Sequence, residues 1–158
     1  MKVIEKIVAV LYSLFALVWV GVGISGIYAV IHNAVYLFEN TPSALTANIV
    51  VLCIWDCLLY GALIALLVPS LYGTMQLYFR NAKIKFYPLF PAAAAIVVCL
   101  INSEDLNAAC YYLVERLNDA NFGTVLYTLL SARILYVATL LILLVYIKKL
   151  CIQKTEAL

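Results

Sequence analysis

The chain has 158 residues, of which 67% are hydrophobic and only 11% charged, against about 25% charged in an average soluble domain. Its mean hydropathy is +1.07. A 17.5 kDa domain has too little interior to hide that much apolar surface, so a soluble globular protein is excluded; the scarcity of polar residues excludes disorder as well. An integral membrane protein remains, and its net charge of +2 matters less than where the charges fall.

Four long apolar runs follow one another. The first is Ile7 to about Ile31. A basic start before an apolar run also marks a cleaved signal peptide, but this run is far longer than a signal core of roughly 7–15 residues. No small-x-small cleavage site follows it, so an uncleaved helix is expected. The second run is Ala47 to Val68, interrupted by Asp56. Beyond Pro69, the Tyr-rich stretch to Phe79 either extends this helix past a proline kink or lies along the inner interface. The third run, about Phe86 to Ile101, is short and begins with Pro88 and Pro91; proline is tolerated in a first helical turn. The fourth is Phe122 to Ile147, interrupted by Arg133. About 20 residues cross a hydrocarbon core of roughly 30 Å. The expected fold is an all-α, integral membrane four-transmembrane-helix bundle forming one polytopic domain over residues 1–158.

Loop charge sets the orientation. Lys2 and Lys6, then Arg80, Lys83 and Lys85, then Lys148, Lys149 and Lys154 lie at the N-terminus, the middle loop and the C-terminal tail. Glu39, Glu104, Asp105, Glu115 and Asp119 occupy the other two loops, with Arg116 their one base. The positive-inside rule puts both termini and the middle loop in the cytoplasm, in a plasma (inner) membrane. In the last outer loop, Ser103 can cap a helix whose first turn holds Glu104 and Asp105. Leu106, Cys110, Leu113 and Leu117 then form one apolar stripe, with Tyr111 and Tyr112 suited to a water–lipid boundary. This predicts a short amphipathic helix, either on the membrane surface or packed on the bundle mouth.

Several motifs carry less than their spelling suggests. Gly21, Gly23 and Gly26 spell GxGxxG, but inside an apolar span, without the strand–turn–helix setting a dinucleotide site needs. Gly21 and Ser25 instead form a small-xxx-small pair, and Cys53, Cys57, Gly61 and Ala65 recur every fourth residue. Both patterns suit close helix packing, within the bundle or across a dimer. Cys53 and Cys57 lie within a span at i, i+4, not in the exposed, electropositive setting of a reactive pair. Cys99 and Cys110 lie near the outer edge, where a disulfide is conceivable if their Cα atoms come within about 7 Å; two reduced thiols are the alternative. Cys151 is either an acylation site or an idle thiol. A lone histidine, His32, makes a His-based metal site or bis-His haem untenable in one chain.

Asp56 and Arg133 are the sharpest feature. Both spans enter from outside, which puts the two charges at matching depths of ~14 and ~16 Å at 1.5 Å per residue. A lone charge at the bilayer centre costs about 2.5–3.5 kcal/mol, and pairing removes much of that cost. Tyr60 and Tyr136 are spaced to hydrogen-bond the pair. The pair is a structural pin, a transport or gating element, or a contact to a partner subunit. No acid–base set, nucleophile or phosphate loop can be assembled at one depth, so no enzyme, cofactor, metal or nucleic-acid partner is expected. The expected function is that of a non-catalytic accessory, assembly or immunity-type subunit. It would touch the lipid bilayer and another integral membrane protein, or itself. A small oligomeric transporter or channel using Asp56 and Arg133 is the alternative.

Overall fold

The computed structural model describes residues 2–44, 46–80, 87 and 89–101, with shorter pieces at 108–109, 111–113, 115, 137–138 and 141–142. Among these residues the chain is all-helical, without strands. α1 spans Lys2–Asn40, α2 spans Ala47–Phe79 and α3 spans Leu89–Leu100; a single 3-10 turn, Pro42–Ala44, sits between α1 and α2. At 1.5 Å per residue α1 is about 58 Å long and α2 about 50 Å. Two of the helices, Val3–Asn40 and Ala47–Phe79, are long and apolar enough to cross a membrane. α2 continues through Pro69 without a break. α3, at 12 residues, is shorter than a bilayer core requires. Of the fourth predicted span only 137–138 and 141–142 are described, and all four are helical.

The ends of α1 and α2 are closed locally. Past Asn40 the helix leaves free carbonyls, and two are taken up: the Thr41 amide donates to the Leu37 carbonyl at 2.9 Å, and Asn40 Nδ2 donates to the Tyr36 carbonyl at 3.0 Å. Pro42 then prevents continuation. Thr46, in extended conformation, precedes α2 but makes no side-chain cap.

α1 and α2 run antiparallel along most of their length. Tyr12 meets Ser70, Gly23 faces Ile64, Gly26 faces Tyr60, and Val30 and Ile31 share a groove with Cys53 and Cys57. Among the buried residues, one seam steps 9, 12, 16, 19, 23, 26 along α1 and 60, 63, 67, 70, 74, 77 along α2, with Val22, Ser25 and Ala29 of α1 and Leu59, Gly73 and Tyr78 of α2 buried beside it. Alternating steps of three and four make a period of 3.5, the spacing of a left-handed coiled-coil seam. On α1 one seam position holds Ala9, Ala16 and Gly23, one small residue per heptad. The next holds Tyr12, Trp19 and Gly26. Small residues let the backbones approach, which matters where neighbouring lipid is as apolar as the helix and association rests on van der Waals contact.

The opposite faces are equally apolar. Leu14, Leu17 and Ile24 of α1, and Leu52, Leu58 and Val68 of α2, are all more than half exposed. Helices that are apolar all round occur in large cores or in membranes, and the outward-facing large side chains are consistent with the second.

Candidate functional site

Two groups of polar side chains interrupt the apolar hairpin. Near the N-terminal end of α1, hydroxyls form a ladder along one edge of α2. Tyr12 Oη and Ser70 Oγ are 2.5 Å apart and link α1 to α2. Thr74 Oγ1 lies 2.8 Å from Tyr87 Oη and donates back to the Ser70 carbonyl at 2.8 Å, a common resting place for a helical threonine. One more turn along, Tyr78 Oη donates to the Ile142 carbonyl at 3.2 Å. Ser70, Thr74 and Tyr78 recur every fourth residue, so one stripe of α2 ties down α1, the segment before α3 and the chain at 142. Gly73 makes room for this: a Cβ there would run into the Tyr87 ring. Tyr12, Ser70, Thr74 and Tyr87 are all fully buried. Hydroxyls removed from water need such partners, since an unmet one costs about 1–3 kcal/mol. The indole N–H of Trp19 is also enclosed, and no acceptor among the described residues reaches it.

The second group lies near the other end of the hairpin. Tyr28 and His32, one turn apart on α1, have ring centroids 5.8 Å apart. Tyr112 packs against both, at 6.0 Å and 6.3 Å, and against Tyr111 at 6.1 Å. Edge-on and tilted contacts at these distances are favourable ring arrangements. Asp56 is half-buried and stands one turn from Tyr60 on the seam edge of α2. Its proposed partner Arg133, and Tyr136, lie outside the described residues. Tyr60 is fully buried, and its ring lies flat against α1: a Cβ on Gly26 would sit 2.5 Å from Cε1 and Cζ.

The small residues singled out from sequence are distributed unevenly. Ser25 is buried, and Gly21 faces the Leu113 side chain at ordinary contact distance. Cys53 and Cys57 are half-buried. With Val30, Ile31, Ala34, Ile54 and Leu58 they wall an apolar groove of about 310 Å³ between α1 and α2. At Gly61 no atom of the described residues lies within 4 Å of a Cβ, and Ala65 is exposed. The tight contacts from glycines of α1 to α2 are made instead by Gly23 and Gly26, where a Cβ would run into Ile64 and Tyr60. Cys99 is exposed on the last turn of α3, and Cys110 lies outside the described residues.

Sequence reading missed the hydroxyl ladder. Its signal was present: Ser70, Thr74 and Tyr78 at i, i+4 and i+8 are an unusual polar stripe for so apolar a helix. Compared with protein-family models, with curated proteins and with solved structures, the chain matches none.

Proposed function

We propose that the chain is a four-span membrane protein acting non-catalytically, as an accessory, assembly or immunity-type subunit that works through helix contacts with another membrane protein. The fourth crossing is supported by where its flanks sit. Leu113 lies against Gly21 and Tyr112 against His32, while Val137, Ala138 and Leu141 line a small cavity with Val8, Leu11, Tyr12 and Phe15. Between 113 and 137 the chain therefore travels from the Tyr112 end of α1 to its N-terminal end. The basic residues at both termini and at 80–85 support a cytoplasmic position for that N-terminal end.

One observation carries the accessory role. The buried hydroxyls hold the bundle's own segments together, while the groove between α1 and α2 is walled by apolar and small side chains, a shape that accepts a helix. The test is a photo-crosslinker at Leu58, which lines the groove, compared with one at Leu17, both incorporated in native membranes. One discrete heterologous membrane protein captured at Leu58 but not at Leu17 is the expected result. Adducts only with further copies of this chain, in a closed symmetric oligomer, would displace the accessory role in favour of a small transporter or channel built round Asp56 and Arg133. Impermeant labelling of a cysteine at position 83 or 154 in intact cells would overturn the orientation.

A further inference from the structure

The apolar hairpin is too long for its membrane. Between Lys6 and Glu39, α1 carries no charge, and α2 carries only Asp56. These are stretches of more than 30 residues, or over about 45 Å, where about 30 Å is needed. Even a tilt of 40°, the upper end of what is observed, leaves surplus length. The bilayer could therefore slide along the hairpin by several turns, and apolarity alone does not fix its position. Something else must choose the window.

The antiparallel register supplies the answer. On α1, Tyr28, His32 and Tyr36 are all exposed. The shared groove places Val30 and Ile31 beside Cys53 and Ile54, so the exposed Trp55 of α2 stands at the same height. Exposed Tyr111 joins them through Tyr112. At the other end, Tyr12 meets Ser70, with Thr74 one turn further and the exposed Tyr72 on the outside. From Tyr12 to His32 is 20 residues, about 30 Å, and from Trp55 to Tyr72 is 17 residues, about 26 Å. Between Trp55 and Tyr72, the large side chains of α2 that face outward are aliphatic, Leu58 and Val68. The exposed aromatic groups thus fall at two levels about one hydrocarbon thickness apart, Tyr28, His32 and Trp55 at one and Tyr72 at the other, where Tyr12 and Ser70 are buried behind it. Tyr and Trp gather at membrane–water interfaces because one end of the ring is apolar and the other polar.

We infer that these two levels are girdles that seat the protein against the lipid headgroups, and that Asp56 lies at the outer headgroup boundary, not at the bilayer centre. The placement rests on the membrane assignment above and narrows it. The midplane falls near Val22 on α1 and Ile64 on α2. Asp56 is eight residues from Ile64, about 12 Å from the midplane. Its carboxylate is then within reach of water and headgroups, and its half-buried state needs no ion path through the hydrocarbon. Apolar turns beyond each girdle, such as Ile7 to Leu11, extend past the hydrocarbon into the headgroup layer.

The experiment measures depth by fluorescence quenching in vesicles of phosphatidylcholine brominated either near the headgroup or near the chain end. The full chain is used, and the Trp55 signal is the wild type minus Trp55→Phe, which leaves Trp19 in place and changes only an exposed side chain. Ile24→Trp in the Trp55→Phe background reports the interior, because Ile24 is 58% exposed and lies two residues from the predicted midplane. Expected are stronger quenching of Trp55 by the shallow bromines, at about 13 Å from the midplane, and of Ile24→Trp by the deep ones, at about 3 Å. Stronger quenching of Trp55 by the deep bromines would overturn the girdles and return Asp56 to the bilayer interior, leaving the membrane assignment intact. Absence of bromine quenching at both positions would overturn the membrane assignment itself.

Discussion

Replacing Gly26 should separate α1 from α2, whereas replacing Gly61 should not. A Cβ at Gly26 would lie 2.5 Å from two ring atoms of Tyr60, so the ring must retreat by about 1 Å to restore an ordinary contact of at least 3.4 Å. Tyr60 is fully buried and has nowhere to go without moving a helix. Overpacking of this kind costs about 1–3 kcal/mol. The lower backbone entropy of alanine returns up to about 1 kcal/mol of that, which leaves Gly26→Ala less stable by about 1 kcal/mol. Gly26→Val, with two more carbons, should lose about 2–3 kcal/mol. At Gly61 no atom of the described residues lies within 4 Å of the new carbon, so Gly61→Ala should gain about 0.4–1 kcal/mol. The assay is unfolding in mixed micelles of rising dodecyl sulfate fraction, followed by circular dichroism. Tyr60→Val in the Gly26→Val background should relieve the clash, with a coupling of at least about 1 kcal/mol. The reasoning fails if Gly26→Ala proves as stable as Gly61→Ala, or if the Gly26 and Tyr60 losses simply add.

Three other outcomes are expected. Tyr12→Phe and Ser70→Ala should each cost about 1–3 kcal/mol by stranding a buried hydroxyl, and the double variant should lose less than the sum; strict additivity in the same micelle titration would mean that the 2.5 Å contact contributes nothing. Gly73→Ala should lower thermal stability in detergent by about 1–3 kcal/mol, and Tyr87→Ala in that background should remove the penalty specific to position 73. Asp56→Asn and Arg133→Gln should each cost about 1 kcal/mol or less if the carboxylate sits at the headgroup boundary. Losses of about 3–5 kcal/mol, recovered in the double variant, would indicate a pair enclosed in low dielectric.

The sequence announced the two long apolar helices, because runs such as Ile7–Ile31 hold no charge to break an apolar helix. It did not announce which faces meet. In an amphipathic helix the apolar stripe marks the inward face, but α1 is apolar all round, so Gly21–Ser25 and Gly23–Gly26 were equivalent on paper. Only the partner helix distinguishes them, by bringing Tyr60 and Ile64 to the second pair. The heptad of small residues at Ala9, Ala16 and Gly23 was legible in principle, since a period of seven needs no partner to be seen. The Tyr12–Ser70 bond was not, because the two residues are 58 positions apart and their meeting depends on the register set by the turn after Asn40. The same register changes what the depth of Asp56 means. Counting from Ala47 assumes that the helix begins at the hydrocarbon edge, whereas Ala47 starts α2 about two turns beyond Trp55.

The brevity of the segment joining α1 to α2 bears on how the protein enters its membrane. Between Asn40 and Ala47 there is one 3-10 turn and no charged residue; the nearest charge is Glu39. Carrying that single carboxylate past the middle of the bilayer costs about 2.5–3.5 kcal/mol, while each Leu, Ile, Val or Phe that follows it into hydrocarbon returns about 0.3–0.6 kcal/mol. α1 alone is rich enough in these residues to make the transfer downhill. In the proposed topology the two helices can therefore cross together as a closed pair, with Lys2, Lys6 and Arg80 held back on the side of synthesis. Adding two or three lysines to the turn would turn an easy passage into a barrier, without altering any contact between the helices.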